Sequence, residues 1–314
     1  MAANVYLWAK NGTISLPGIG PVPFWGFAPS AVGVAQLPGP IIEVFQNDSV
    51  QVTLNNNLTT PVSIIFSGQE FTPVPVTDGS GLFLSYNQEA PSGGAFSYNI
   101  TPNRPGIFLY ESGTSPEKQI QMGLYGVMVV RPPGYDPAIP ATWTAYGSGT
   151  GTEYDVEKIL VIGEVDTAMH NAVTAGNPPG TFDPDYFIIN GRSYPDSVAP
   201  DNNGSQPYSA GIAAATGQRV LLRIINAGFL NHTLRLLGIS PRVLAGDSWP
   251  LKSASLDATF EKNTITLGSG QSYDLLFTAP SPNQYVIYDR DLNHAVNGND
   301  FPGGIMTVIN IANP

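Results

Sequence analysis

Gly106-Ile107-Phe108-Leu109-Tyr110-Glu111-Ser112-Gly113, followed by Gly123-Leu124-Tyr125-Gly126-Val127-Met128-Val129-Val130-Arg131, is the stretch that decides the class of fold. Each run is short, rich in β-branched and aromatic residues and opens on glycine, as buried strands following a turn do. Working outward, Ser49-Val50-Gln51-Val52-Thr53-Leu54 alternates cleanly and puts Val50, Val52 and Leu54 on one face. Asn55-Asn56-Asn57 then turns the chain. Ile41 to Phe45, Val62 to Phe66 and Ala95 to Ile100 read as further strands. Helical periodicity is nearly absent. Many short strands at this spacing predict an all-β protein built as a β-sandwich with Greek-key connections.

A composition break divides the chain. Pro132-Pro133-Gly134-Tyr135-Asp136-Pro137 and Gly147-Ser148-Gly149-Thr150-Gly151 mark a Pro/Gly/Ser-rich linker. The expected organisation is a first domain over 1–134, a linker over 135–156 and a second domain over 157–314. That length suits two domains of ordinary size.

The motifs follow one another in a recognisable order. Pro38-Gly39-Pro40-Ile41-Ile42 with Asn47-Asp48 resembles the PGP-x-I … GD opening of the multicopper oxidases. Ser63-Ile64-Ile65-Phe66-Ser67-Gly68 resembles that family's S-I-H-W-H-G, and residues 106–113 resemble its G-T-Y-W-Y-H-S-H. Gly123-Leu124-Tyr125-Gly126 matches the G-L-Y-G that follows. In the second half, Ile189-Asn190-Gly191, Arg219 to Ala227, Val243-Leu244-Ala245-Gly246-Asp247 and Leu267 to Asp274 resemble elements of the family's second cupredoxin domain. The resemblance implies two Greek-key cupredoxin-like β-sandwich domains.

The resemblance also implies copper, and here the residues depart from it. Ile65, Ser67, Glu111 and Gly113 stand where such an oxidase carries histidine. The family's oxygen-reducing centre takes eight imidazoles and its electron entry site a cysteine thiolate, whereas this chain has Cys 0 and His 3. The expected cofactor is therefore none. The expected function is a non-catalytic structural, assembly or binding protein. Two alternatives stand beside it. One is a copper-dependent oxidoreductase with an atypical mononuclear site formed by His170, His232 and His294. The other is a small-ligand binder using the emptied cavity between the domains, bounded by Ile65 and Phe66. Glu111 is expected to be anchored locally by Ser112, Thr114 or Lys118, and Asn226 and Asp274 to be architectural. The first histidine is His170, so no Ser-His-Asp triad can form within the first half, and no Walker loop or dinucleotide fingerprint occurs.

Composition bounds the partners. The formal charge is −11, and charged residues are only 12% of the chain against about 25% typically. Nucleic acid is disfavoured, because phosphate binding needs a basic patch. No apolar run approaches the ~18 residues of a spanning helix. The N-terminus, Met1-Ala2-Ala3-Asn4, carries no basic-then-apolar signal region. An extracellular or cell-surface mature form is expected, with a cytoplasmic one as the alternative. Asn-x-Ser/Thr sequons at Asn11, Asn47, Asn57, Asn99, Asn203 and Asn231 matter only if the host glycosylates exported proteins. Self-association as a homo-oligomer or polymer is expected. Phe24, Trp25 and Phe27 are its candidate patch, with a plug between the domains as their other reading.

Overall fold

The computed structural model describes every residue except Met1, Asn202 and Asn203, so the Asn203 sequon lies outside the described residues. The first half is two four-stranded sheets packed face to face. One sheet is ordered Val22–Ala28, Ala2–Ile14, Ser49–Asn56, Ala95–Ile100, and the other Ile42–Phe45, Tyr125–Arg131, Gly106–Glu111, Ile65–Phe66. Leu7, Phe27, Val52, Leu54, Phe66, Tyr98 and Met128 fill the space between them.

The second half repeats the plan on a larger scale. Its first sheet runs Tyr186–Ile189, Val156–Val165, Arg219–Asn226, Ser272–Thr278, Arg242–Gly246, Trp249–Pro250. Its second runs Ile212–Ala215, Met306–Ala312, Asn283–Asp289, His232–Leu236, Thr264–Leu267. Leu160, Ile162, Leu222, Ile224, Leu234, Leu275, Ile287 and Ile309 form the core between these sheets.

The apolar run at Tyr125–Arg131 has a physical explanation. Every residue of that strand is buried, because both of its faces are covered. Met128 and Val130 point into the core of the first half, while Tyr125, Val127 and Val129 pack against Val161, Ile188 and Ile225 of the second. A strand buried on both faces loses its alternation and reads as a continuous hydrophobic run. Its neighbour Gly106–Glu111 divides likewise, with Phe108 and Tyr110 turned inward and Ile107 and Leu109 toward the seam. Gly126 lies under the Tyr110 ring, where a Cβ would come within 2.3 Å of ring carbon Cζ.

Phe24 and its neighbours do not form a surface patch. Phe24, Trp25 and Phe27 are 1%, 8% and 0% exposed. Phe24 lies in the seam cluster with Val161 and Tyr186, whereas Trp25 and Phe27 belong to the first core. The expected association patch is corrected accordingly: an aromatic run on a strand between two layers is consumed by packing.

The Pro/Gly/Ser-rich segment is an ordered strap. Ala145 and Tyr154 pack on Leu221, Leu244 and Leu276, and Tyr146 donates its hydroxyl to Asp274 Oδ2 at 2.6 Å. Asn226 closes a strand corner, donating to the carbonyl of Leu230 at 2.7 Å and accepting from the N–H of Gly228 at 2.9 Å. Both residues are architectural, as the sequence implies.

Candidate functional site

The positions singled out in the first half do converge. Ile65 pairs with Glu111 across the antiparallel ladder. Ser67 Oγ donates to Glu111 Oε1 at 2.6 Å. A Cβ on Gly113 would meet Ile65 Cγ2 at 2.8 Å and Ser63 Oγ at 2.9 Å. These residues sit where strand ends of one sheet approach the seam, and the small Gly113 lets Ile65 close over it. Behind them Thr114 Oγ1 lies 3.1 Å from Ser63 Oγ and 3.0 Å from Ser85 Oγ.

Burial pushes the Glu111 carboxyl above its ordinary value, and the Ser67 hydroxyl opposes that shift. The anchor is Ser67 rather than Ser112, Thr114 or Lys118. Ser112 Oγ donates instead to Gln119 Oε1 at 2.7 Å, and Thr114 Oγ1 to Glu89 Oε1 at 3.0 Å. The ladder puts Ser67 one turn of the pleat beyond Ile65, on the same face as Glu111, which the local sequence around Glu111 does not reveal.

A groove of about 230 Å³ opens beside this place, lined by Ser67, Phe108, Ile225, Asp247 and Ser272. It is not the cavity bounded by Ile65 and Phe66 that the sequence suggests, since Phe66 is buried in the first core. Typical small-molecule sites hold about 300–1,000 Å³. Ser248, standing where the resemblance expects glycine, ties the halves together: its Oγ accepts from the N–H of Ile107 at 2.9 Å and donates to the Ile107 carbonyl at 2.8 Å.

The three histidines separate into one and two. His170 is fully buried on the helix Thr167–Thr174, with Nδ1 2.7 Å from the Pro23 carbonyl and Nε2 2.9 Å from the Gln121 carbonyl. Burial lowers its pKa despite those two carbonyls. It therefore takes no part in a shared site. His232 and His294 do meet, their ring centroids 5.0 Å apart, and Asp289 lies between them. Glu164, which completes this set, is missed by pattern reading. Its signal is a carboxylate inside the fully buried second half of the strand Val156–Val165.

Comparison with known proteins supplies the family. A family model described as multicopper oxidase matches residues 29–134, and a second one, also multicopper oxidase, matches residues 164–310. Laccase-13 of Arabidopsis thaliana is 26% identical over 263 residues, covering 79% of this chain and 40% of that protein. L-ascorbate oxidase of Cucurbita pepo var. melopepo is 27% identical over 287 residues, covering 82% of this chain and 47% of that protein. The chain thus spans less than half the length of these relatives. Among solved structures, the blue copper oxidase of Nitrosomonas europaea superposes with a TM-score of 0.75 at 24% identity, covering 99% of this chain and 86% of that one. The multicopper oxidase mgLAC does so at 0.77 and 22%, with the same coverage. At these identities the structures show the shared fold.

The matches correct the expectation of no cofactor. The matching family models are multicopper oxidases and a solved neighbour a blue copper oxidase by name, so copper belongs in any account of this chain. The four first-half positions nevertheless do not fit a copper cluster. They offer one hydroxyl and one carboxylate, with the imidazole and thiolate donors that copper prefers absent from those positions.

Proposed function

The chain belongs to the multicopper oxidase family, and on that footing we propose that it serves as a binding and assembly protein rather than as an oxygen-reducing enzyme. One observation carries this reading. The place that the family frame reserves for imidazoles is filled by a hydrogen-bonded Ser67–Glu111 pair closed over by Ile65 and Gly113. A sandwich held by its hydrophobic cores tolerates that exchange, because no metal bond is needed to hold the sheets. Function then rests on exposed surfaces and loops.

The surface that supports assembly lies beside the same pair. The hairpin of Val76–Thr77 and Phe83–Ser85 leads into Tyr86, whose N–H bonds the Gly113 carbonyl at 2.9 Å. Leu82, Phe83, Leu84 and Tyr86 are 67%, 66%, 51% and 52% exposed. Contiguous exposed apolar side chains of this kind mark contact surfaces, and a second copy of the chain is the partner we assign. None of these four side chains carries a charge, so the contact itself adds no like-charge repulsion. We place the protein outside the cell or at its surface, where such a Lys-poor chain is suited; among the described residues no helix is long and apolar enough to cross a membrane.

Light scattering on the full chain tests the reading. A mass above 33.3 kDa that falls to the monomer value in Phe83→Glu is expected. A monodisperse monomer at every concentration would refute self-association. Turnover of a phenolic donor that disappears in Glu111→Gln, with the melting temperature unchanged, would refute the non-catalytic reading.

A further inference from the structure

Two imidazoles and a carboxylate in the second half have no role in that function. His232 opens the strand His232–Leu236. Asp289 ends the antiparallel neighbour Asn283–Asp289, opposite Leu234. His294 closes the single-turn helix Leu292–His294. His232 Nδ1 lies 2.7 Å from Asp289 Oδ2, and His294 Nδ1 lies 3.0 Å from the same oxygen. We propose that His232, Asp289 and His294 hold one divalent first-row transition-metal ion, bound through His232 Nδ1, His294 Nδ1 and Asp289 Oδ2.

The donors are already gathered and aimed. One ligand atom from each residue falls within 4.8 Å of the others. Bonds of about 2.0–2.2 Å in a tetrahedral site set ligand atoms about 3.4 Å apart, so the two nitrogen–oxygen separations need open only by roughly 0.4–0.7 Å. The other Asp289 oxygen, Oδ1, is turned away by the N–H groups of Thr233 at 3.2 Å and Asp291 at 3.0 Å. That leaves Oδ2 for the shared point. The Phe187 ring stacks on His294 with centroids 4.1 Å apart and fixes its plane.

The outer groups are those that metal-binding histidines use. A ligating imidazole donates its second N–H to a carboxylate or carbonyl, which sets its tautomer. His232 Nε2 lies 2.7 Å from Glu164 Oε1, whereas His294 Nε2, 3.8 Å from Asp291 Oδ2, is beyond hydrogen-bond distance of that carboxylate. Glu164 is held in turn by the N–H groups of Phe229 and Leu230, each at 3.0 Å.

Charge favours a divalent ion over a proton. Glu164 and Asp289 are 4% and 0% exposed, and their charges must be balanced in the interior. A proton on His232 offsets one of them, whereas a divalent ion offsets both. Imidazole with carboxylate suits zinc, copper(II) and iron(II) and is poorly matched to calcium or magnesium. His294 is the partly exposed member of the set and marks its side nearest solvent.

The test uses the full chain, stripped with chelator and titrated with cobalt(II), then zinc(II). One equivalent of cobalt is expected to give the visible bands of four-coordinate ion, and zinc to abolish them. His294→Ala, the partly exposed member of the set, is expected to weaken binding about 100-fold or more, and Glu164→Gln about 10-fold. Imidazole proton NMR on the unaltered protein gives a second readout, since the chain has only three histidines. Zinc should move the signals of His232 and His294 and leave His170 in place. No cobalt bands and no shifted imidazole signals would overturn the proposal, as would undiminished binding in His294→Ala.

Discussion

Ser67→Ala is the substitution that bears most on the first-half site. Ser67 Oγ donates at 2.6 Å to one oxygen of Glu111. A hydrogen bond to a charged group contributes about 1.5–3 kcal/mol net. Glu111 keeps some contact with solvent, so the loss should fall near the lower end, about 1.5–2 kcal/mol at pH 7. The pH dependence follows from the sign of the Glu111 shift. Burial raises its folded pKa above the ordinary value, and the hydroxyl restrains that rise. A carboxyl with a raised folded pKa stabilises the fold fully below its unfolded value of about 4.3, and that contribution is lost as pH rises through the folded value. Removing Ser67 lifts the folded value further, so the penalty is largest at pH 7 and shrinks toward pH 4. Glu111→Gln in the same background should recover most of the loss, because a neutral amide costs less to bury. Urea unfolding at pH 7 and pH 4 reads the unaltered protein and both variants. A Ser67→Ala loss under about 0.5 kcal/mol, or one equal at both pH values, would refute the assignment of this pair as a structural anchor.

Other substitutions probe the frame. Arg131 lies between Glu43 at 3.0 Å and Glu157 at 2.8 Å, joining the two halves. Arg131→Ala should cost about 3 kcal/mol by leaving a buried carboxylate short of a partner, measured by denaturant midpoint. Burial acts to raise the Glu157 pKa, but Arg223 and Arg131 outweigh it and hold it low. That contribution is therefore present above about 4.3 and lost as pH falls below it, so the variant should lose part of the wild-type acid sensitivity. Gly126→Ala drives a methyl into the Tyr110 ring, at 2.3 Å from Cζ, and should cost about 1–3 kcal/mol; an unchanged melting curve would show that the ring can move. Phe24→Ala should cost about 3–5 kcal/mol and leave the oligomeric mass untouched. A mass change without a stability loss would return Phe24 to the surface.

Much of the fold was legible in the sequence because strand periodicity and motif order are local. Val50, Val52 and Leu54 alternate, and all three are buried on one face. Met122 and Met128 lie in the core as their setting in the Gly-Leu-Tyr-Gly region suggests. The site was legible only in part, because it depends on which strand ends meet. Ile65 and Glu111 are far apart in sequence and adjacent in the ladder. The Ser67 partner of Glu111 follows from that register and not from any neighbour of either residue. Phe24 illustrates the opposite difficulty: an aromatic run looks the same whether it faces solvent or a second domain. Asp289 looks like part of a polar loop, Asp289-Arg290-Asp291, yet it ends a strand and is fully buried between two imidazoles. Only the pairing of strands Asn283–Asp289 and His232–Leu236 brings it there.

Oxygen uptake by the copper-loaded full chain, with an aromatic donor present, tests the central claim most directly. The account predicts uptake no faster than an equal amount of free copper(II) produces, and the same rate in Glu111→Gln. Sustained reduction of oxygen to water well above that background, lost on changing Glu111 or Ser67, would contradict it.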